Sequence, residues 1–343
     1  MAESRSEPLL AARPSGGGHD MTAQLTRRAL WRVCGLAGLL RAISTDQLHA
    51  QRLGWEAQPD SRGASTRNYR ADAEIVLLSI PVLRRSGVGA GSSTWSENGR
   101  FRLLDFTGYS FPARAAGLNR FGFIRELSRK EADAAETLYF GLMTASPEES
   151  AAEAKKALYK EAHDQLFTAI EGRVASGNVE TLTAHFTASG NASVAQHEQL
   201  LSLARHALAA APQKPADFDP GSGSHRTFLH ALAYLLEDSS RDHTRYVYNA
   251  HLYSLSLRRS PDPKATAYFR GKRLIAQDAT VLHAEGKLRR EAGGKETNFR
   301  LWVEQGGRPL PLRIEYQAKP YLRLTFEVDD SAGVPNSNLS SIG

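Results

Sequence analysis

His197-Glu198 opens the way a zinc-protease helix opens. A second histidine four residues on would put two imidazoles on one helix face beside a carboxylate able to activate water. Position 201 is Leu, so no metal pair forms. His225 and His230 are five residues apart in a helical pattern, which sends them to different faces. Ser222, Ser224 and His225, together with Asp242-His243, supply the residue types of a hydrolytic triad. No nucleophile elbow accompanies them, and nothing in their spacing brings a base within hydrogen-bond reach of a hydroxyl. Gly87-Val88-Gly89-Ala90-Gly91-Ser92 resembles a phosphate loop. Such a loop needs a helix directly after it to present N–H groups and a dipole to the anion. Here Ser93-Thr94-Trp95 continues as strand and turn, so the glycines read as a bend or bulge in a sheet. The expectation is a chain with no catalytic residue, no metal and no cofactor.

Charge excludes further classes. The net charge of +6 is spread over 343 residues without a run of five basic side chains, so the clustered basic stripe of a nucleic-acid binder is missing. Arg114 to Arg125 is basic and aromatic; it could meet an anionic partner or form a solvated loop. The lone cysteine, Cys34, rules out an intrachain disulfide and a cysteine-based zinc site. A hydrophobic fraction of 41% supports a sizeable core.

Residues 1–51 read as a disordered extension followed by a signal-like leader. The first 20 residues are polar and rich in Pro and Gly. From Met21, Arg27, Arg28 and Arg32 form a basic region, Val33 to Leu40 an apolar one, and His49-Ala50-Gln51 an exit of small residues. Thr26-Arg27-Arg28-Ala29-Leu30 resembles a twin-arginine export signal. The expectation is export to the periplasm or the exterior; the alternative is an amphipathic N-terminal helix on a cytoplasmic protein. Val33 stands where a lipoprotein signal needs a small residue before its cysteine. No 18-residue apolar run follows, so no transmembrane helix is expected in the body.

The elements follow in order. Residues 52–66 read as a linker, and 67–211 as an N-terminal α+β lobe. In it, strand patterns run from Asn68 to Gly91 and from Phe101 to Phe106 around a turn at Glu97-Asn98-Gly99. Ser146-Pro147-Glu148-Glu149 is a capped helix start, with the helix reaching Ala162. Phe140-Gly141-Leu142-Met143-Thr144, just before it, fits a core. Gln165 to Ile170 and Asn178 to Thr187 read as strands, and Ser193 to Ala211 as a second helix with Val194, Leu200, Leu201, Ala204 and Leu208 on one face. Residues 212–224 form a linker. Residues 225–329 form a C-terminal lobe, starting with a helix whose stripe is Phe228, Leu229, Leu232, Leu235 and Leu236. Tyr246 to Tyr248 and Leu252 to Leu257 flank Asn249-Ala250. Then Thr280–Arg290, Glu296–Glu304, Leu310–Gln317 and Tyr321–Val328 form a β-meander broken by Gly293-Gly294, Gly306-Gly307 and Lys319-Pro320. Residues 330–343 read as a disordered tail.

Side chains two apart share a strand face. One face of the meander collects Phe299, Leu301, Val303, Leu310, Leu312, Ile314, Tyr316, Leu322, Leu324, Phe326 and Val328. The other collects Arg300, Trp302, Glu304, Arg313, Glu315, Arg323 and Glu327. That is one dry and one wet face, with Trp302 a candidate surface contact. The dry face could cover a helix in an ordinary core, or a bent sheet could leave a cavity there.

The run Leu310-Pro311-Leu312-Arg313-Ile314-Glu315, after an amphipathic strand and a turn, resembles the C-terminal part of exported half-barrel proteins. That group includes the LolA/LolB-type lipoprotein carriers and related periplasmic domains. The resemblance spans about 50 residues and implies a curved antiparallel sheet wrapped on helices, with acyl chains held in its concavity. The expected fold is therefore α+β, a large half-barrel-like sheet on two or three helices. The expected function is non-enzymatic binding of a lipid or other apolar small molecule through Phe299, Leu301, Val303, Leu312, Ile314, Tyr316, Leu324 and Phe326. A secreted hydrolase and a structural envelope module stand as alternatives.

Overall fold

The computed structural model describes residues 64–77, 80–115, 120–131, 134–145, 164–189, 197–222 and 225–329. The leader, the helix expected from Ser146, and the C-terminal tail lie outside them.

The strands are β1 (Ser65–Leu77), β2 (Ile80–Glu97), β3 (Phe101–Ser110), β4 (Phe121–Glu131), β5 (Ala134–Thr144), β6 (Asp164–Ala175), β7 (Asn178–Ser189), β8 (His243–Tyr248), β9 (His251–Pro261), β10 (Val281–Arg290), β11 (Thr297–Glu304), β12 (Arg313–Lys319) and β13 (Leu322–Val328). The helices are α1 (His197–Ala209), α2 (Phe228–Glu237) and α3 (Pro263–Gly271). All the strands belong to one 13-stranded antiparallel sheet, in the order β7-β6-β5-β4-β3-β2-β1-β13-β12-β11-β10-β9-β8. The architecture is thus mostly β, with helices as a minority.

Two meanders make this sheet, and β1 joins them. It pairs β2 on one side and β13 on the other, with Ala71 opposite Phe326. The two halves of the chain therefore share one sheet. Among the described residues no ladder joins the end strands β7 and β8, so the sheet is open there. The segment after α1 stitches these ends. Gln213 bridges Leu182, and the Lys214 N–H donates to the Thr181 carbonyl at 2.7 Å. Arg226 runs beside Tyr246, accepting from the Val247 N–H at 2.7 Å. Side chains complete the contact: Thr183 donates to Asn249 Oδ1 at 2.6 Å, and His251 Nδ1 lies 2.8 Å from Asp217. Asn249 and Ala250 turn the β8–β9 hairpin with φ of 52° and 62°. Both lie in the left-handed region that a tight two-residue hairpin demands.

Register assigns the faces. Trp95 opposes Leu104, which opposes Glu126. Across the seam, Phe326 opposes Ile314, which opposes Leu301, which opposes Ala284. All of these are on one face. α2 packs against Trp95 and Leu104 and also against Leu255, Leu257 and Leu301, strands far apart in the sheet order. One helix reaches both sets because the sheet curls around it. α2 is apolar nearly all round (FLHALAYLLE), as an enclosed helix is.

The opposite face carries the other helices. α1 covers Phe121, Phe123, Phe140, Leu142 and Phe167 with Leu200, Leu201, Ala204 and Leu208. α3 covers the outer side of β10–β13. Its first turn is set by Asp262, whose side chain accepts from the Ala265 N–H at 2.9 Å, and by Pro263.

Candidate functional site: an apolar cavity beneath the curled sheet

Between α2 and the concave face lies a cavity of about 270 Å³. Three sources build it. β11 and β12 contribute Phe299, Leu301, Ile314 and Tyr316; β2–β4 contribute Ser93, Trp95, Leu104, Phe106 and Ile124; α2 contributes Phe228, Leu229, Leu232 and Ala233. The segment Pro309-Leu310-Pro311 closes one side. Sheet curvature brings β3 and β11 to the same space, although four strands separate them in the sheet order.

The walls carry little polarity. Ser93 Oγ is 2.7 Å from the Tyr69 hydroxyl, which donates to the Pro311 carbonyl at 2.8 Å. Asp105 is ion-paired to Arg125 at 3.2 Å. Burial pushes the Tyr316 phenol up to about 12, so it stays neutral in the wall. Arg102 lies over Trp95 at 4.7 Å and pairs with Glu97 and Glu237. The Phe299 ring lies flat over Gly286, where an added Cβ would come within 2.0 Å of Cζ. Only glycine lets the ring sit so close to the β10 backbone.

Beneath α2, Glu126 is 0% exposed. Its carboxylate accepts from the Leu229 and His230 N–H groups, each at 2.9 Å, and from the Thr227 hydroxyl at 2.5 Å. His230 Nδ1 lies 3.0 Å away. Carboxylate, imidazole and hydroxyl are the members of a hydrolytic triad, but the order is wrong for one. Thr227 donates to the carboxylate and not to the far imidazole nitrogen, so the hydroxyl is not activated. The group works as a helix cap supplied from β4, set against the positive end of the α2 dipole. Among the described residues no group of three His, Cys, Asp or Glu is placed to hold a metal.

Of the residues singled out in the meander, Phe299, Leu301, Ile314 and Tyr316 line the cavity. Val303 packs in the core against α2, and Leu312, Leu324 and Phe326 pack with Tyr69 in the neighbouring core. Phe326 meets the Phe106 ring edge-on at 5.5 Å and forms part of the wall behind it. The expectation for Trp302 needs correction. It does point away from the concave face, but α3 covers it and it is only 8% exposed. Its Nε1 donates to Asp262 at 3.0 Å, His283 stacks on it at 4.8 Å, and Arg313 lies over it at 5.1 Å. The β2–β4 lining was not legible as part of a site, because alternation shows which residues share a face and not how far a sheet bends.

No family model matches the chain, and no curated protein matches it. The chain is similar to a beta-barrel-like protein of a domain of unknown function, DUF1849, from Brucella abortus. The identity is 8%, the match covers 77% of this chain and 94% of that one, and the TM-score is 0.29. The class of the present chain therefore rests on its own register: an open, curled antiparallel sheet enclosing a helix and an apolar cavity.

Proposed function

We propose that this chain binds an apolar small molecule with a slender hydrocarbon portion, such as an acyl chain, in the cavity beside α2, without transforming it. The observation that carries this reading is the lining itself: aromatic and aliphatic side chains from three separate elements converge on about 270 Å³ of space. A dry apolar cavity of ~150 Å³ already takes benzene, and drug-sized pockets begin near ~300 Å³. A single medium-length chain suits the space better than a bulky ring system. Phe228, Leu229 and Leu232 are only half-buried although α2 is enclosed, consistent with side chains facing a void.

The mode resembles that of the LolA/LolB-type carriers, which hold acyl chains between a curved sheet and helices. The basic and apolar order of residues 21–51 supports a place outside the cytoplasm, where a chain with a single cysteine near its start needs no disulfide to fold. The burial of Trp302 removes the main support for a purely structural module built on an exposed aromatic patch.

Native mass spectrometry of protein purified from its own envelope fraction tests the proposal. A co-purifying lipid-sized mass that delipidation removes is the expected result. A protein that emerges empty, and whose unfolding midpoint no fatty acid raises, would overturn it.

A further inference from the structure

We infer that the exposed stretch of β2 from Pro81 to Ser86 is a docking element for an anionic lipid bilayer. The inference is independent of the cavity, since none of the residues below lines it.

The hairpin closes with Leu77 paired to Ile80. Residues 75–83 read IVLLSIPVL, a run in which only Ser79 and Pro81 are not aliphatic. β2 meets β3 only from Gly89 onward, so Ile80 to Val88 have β1 on one side and, among the described residues, no strand on the other. The side chains from Pro81 to Ser86 are all exposed, with Val82 at 54% and Leu83 at 48%.

Charge identifies the partner. Directly after the exposed Val82 and Leu83 stand Arg84 and Arg85. The Arg84 side chain is 66% exposed, and Arg85 donates to the carbonyl of Arg114, itself exposed on the β3–β4 connection. Two acids lie near and both are engaged: Asp72 is 7% exposed and is held by Arg70, Arg84, Ser86 and the Gly87 N–H, and Glu74, opposite Arg84 in register, is paired to Arg323 at 3.0 Å. Aliphatic side chains leading, with guanidinium groups one or two residues behind, match an acyl boundary overlaid by phosphates. A strand from another protein suits this edge poorly. Pro81 lacks an N–H for a ladder, and charges such as Arg84 and Arg85 are the means by which edge strands resist pairing.

Cosedimentation of the full chain with phosphatidylglycerol–phosphatidylcholine vesicles and with pure phosphatidylcholine vesicles tests this. The expected result is binding to the anionic vesicles that weakens with salt. Val82→Asp/Leu83→Asp and Arg84→Gln/Arg85→Gln should each lower it by about tenfold or more, with unfolding midpoints unchanged, while Arg258→Gln, on β9, binds as the parent does. The inference falls if the parent does not bind. It falls equally if both double variants bind like the parent, which would move the contact elsewhere in the chain, or if the arginine variant alone keeps full binding. A parent that ignores vesicles but forms a dimer broken by Val82→Asp/Leu83→Asp would assign the edge to a second copy and refute the bilayer.

Discussion

Glu126→Ala should be among the most damaging single substitutions in the chain. The carboxylate is fully buried and receives four donors: the Leu229 and His230 N–H groups, the Thr227 hydroxyl and His230 Nδ1. After truncation Thr227 and His230 still have each other at 3.3 Å. The two backbone N–H groups have no such recourse. An unsatisfied buried donor costs about 1–3 kcal/mol, and losing a negative charge at a helix N-terminus adds ~0.3–1 kcal/mol. The expected destabilisation is about 3–6 kcal/mol. Glu126→Gln keeps one acceptor oxygen in the same place and should lose about half as much. Urea unfolding at neutral pH measures both. Leu229 is a cavity wall one residue from the cap, so the Gln variant should also bind a fluorescent fatty acid more weakly than the parent. If the Ala variant loses less than about 1 kcal/mol, or both variants lose the same amount, α2 is not held from β4 in the way described.

Other perturbations follow from the same packing. Trp302→Ala should destabilise by about 3–5 kcal/mol in thermal or urea unfolding, because the ring is buried under α3; a surface contact residue would move stability by less than ~0.5 kcal/mol. His197 is packed against Phe121 at 4.5 Å and Tyr109 at 5.5 Å, and burial pushes its imidazole down to about 4. Between that value and its ordinary range the unfolded chain binds the proton and the folded chain does not. The His197 contribution is therefore complete above pH ~6.5 and is lost as pH falls toward ~4. His197→Phe should flatten the fall in urea midpoint between pH 7 and pH 4.5. Gly286→Val should disturb the cavity wall directly, since a side chain there would collide with the Phe299 ring; probe affinity should drop along with about 1–3 kcal/mol of stability.

The C-terminal meander was legible because it alternates. Its four strands end within three residues of where the glycines and Lys319-Pro320 place their limits, and the Phe299, Leu301, Ile314 and Tyr316 face points inward as the period of two requires. The β2–β3 hairpin was equally plain from Asn98-Gly99, and the strands read at Gln165 to Ile170 and Asn178 to Thr187 fall in β6 and β7. β4 and β5 were not. Phe121 and Phe123 face α1 while Ile124 and Glu126 face the interior, so both sides of β4 are covered and the alternation that marks a half-exposed strand disappears. Arg114 to Arg125 thus reads as a basic loop although half of it is strand. Phe140-Gly141-Leu142 fits the core reading, as part of β5 under α1. Trp302 misled for a related reason: α3 is nine residues long and weakly amphipathic, and nothing in the strand itself announces that a helix will lie over its polar face. Residues 212–224 look like a linker by composition, yet Gln213 and Lys214 pair with β7 and the Asp217 N–H donates to the Ala250 carbonyl in the β8–β9 turn.

The cavity is the centre of the account, and Leu232→Trp tests it most directly. The larger ring would occupy space that is empty in the parent. Burying eight or so methylenes at ~0.8 kcal/mol each yields about 6 kcal/mol, a dissociation constant of ~20 μM that the cost of immobilising a chain weakens further. Titration calorimetry with C8 to C12 fatty acids should give about 20 μM to 1 mM for the parent and at least tenfold weaker binding for Leu232→Trp, with an unfolding midpoint equal to the parent's or above it. A parent that binds none of these chains, or a Leu232→Trp variant that binds them as well as the parent does, would contradict the assignment of this cavity as the binding site.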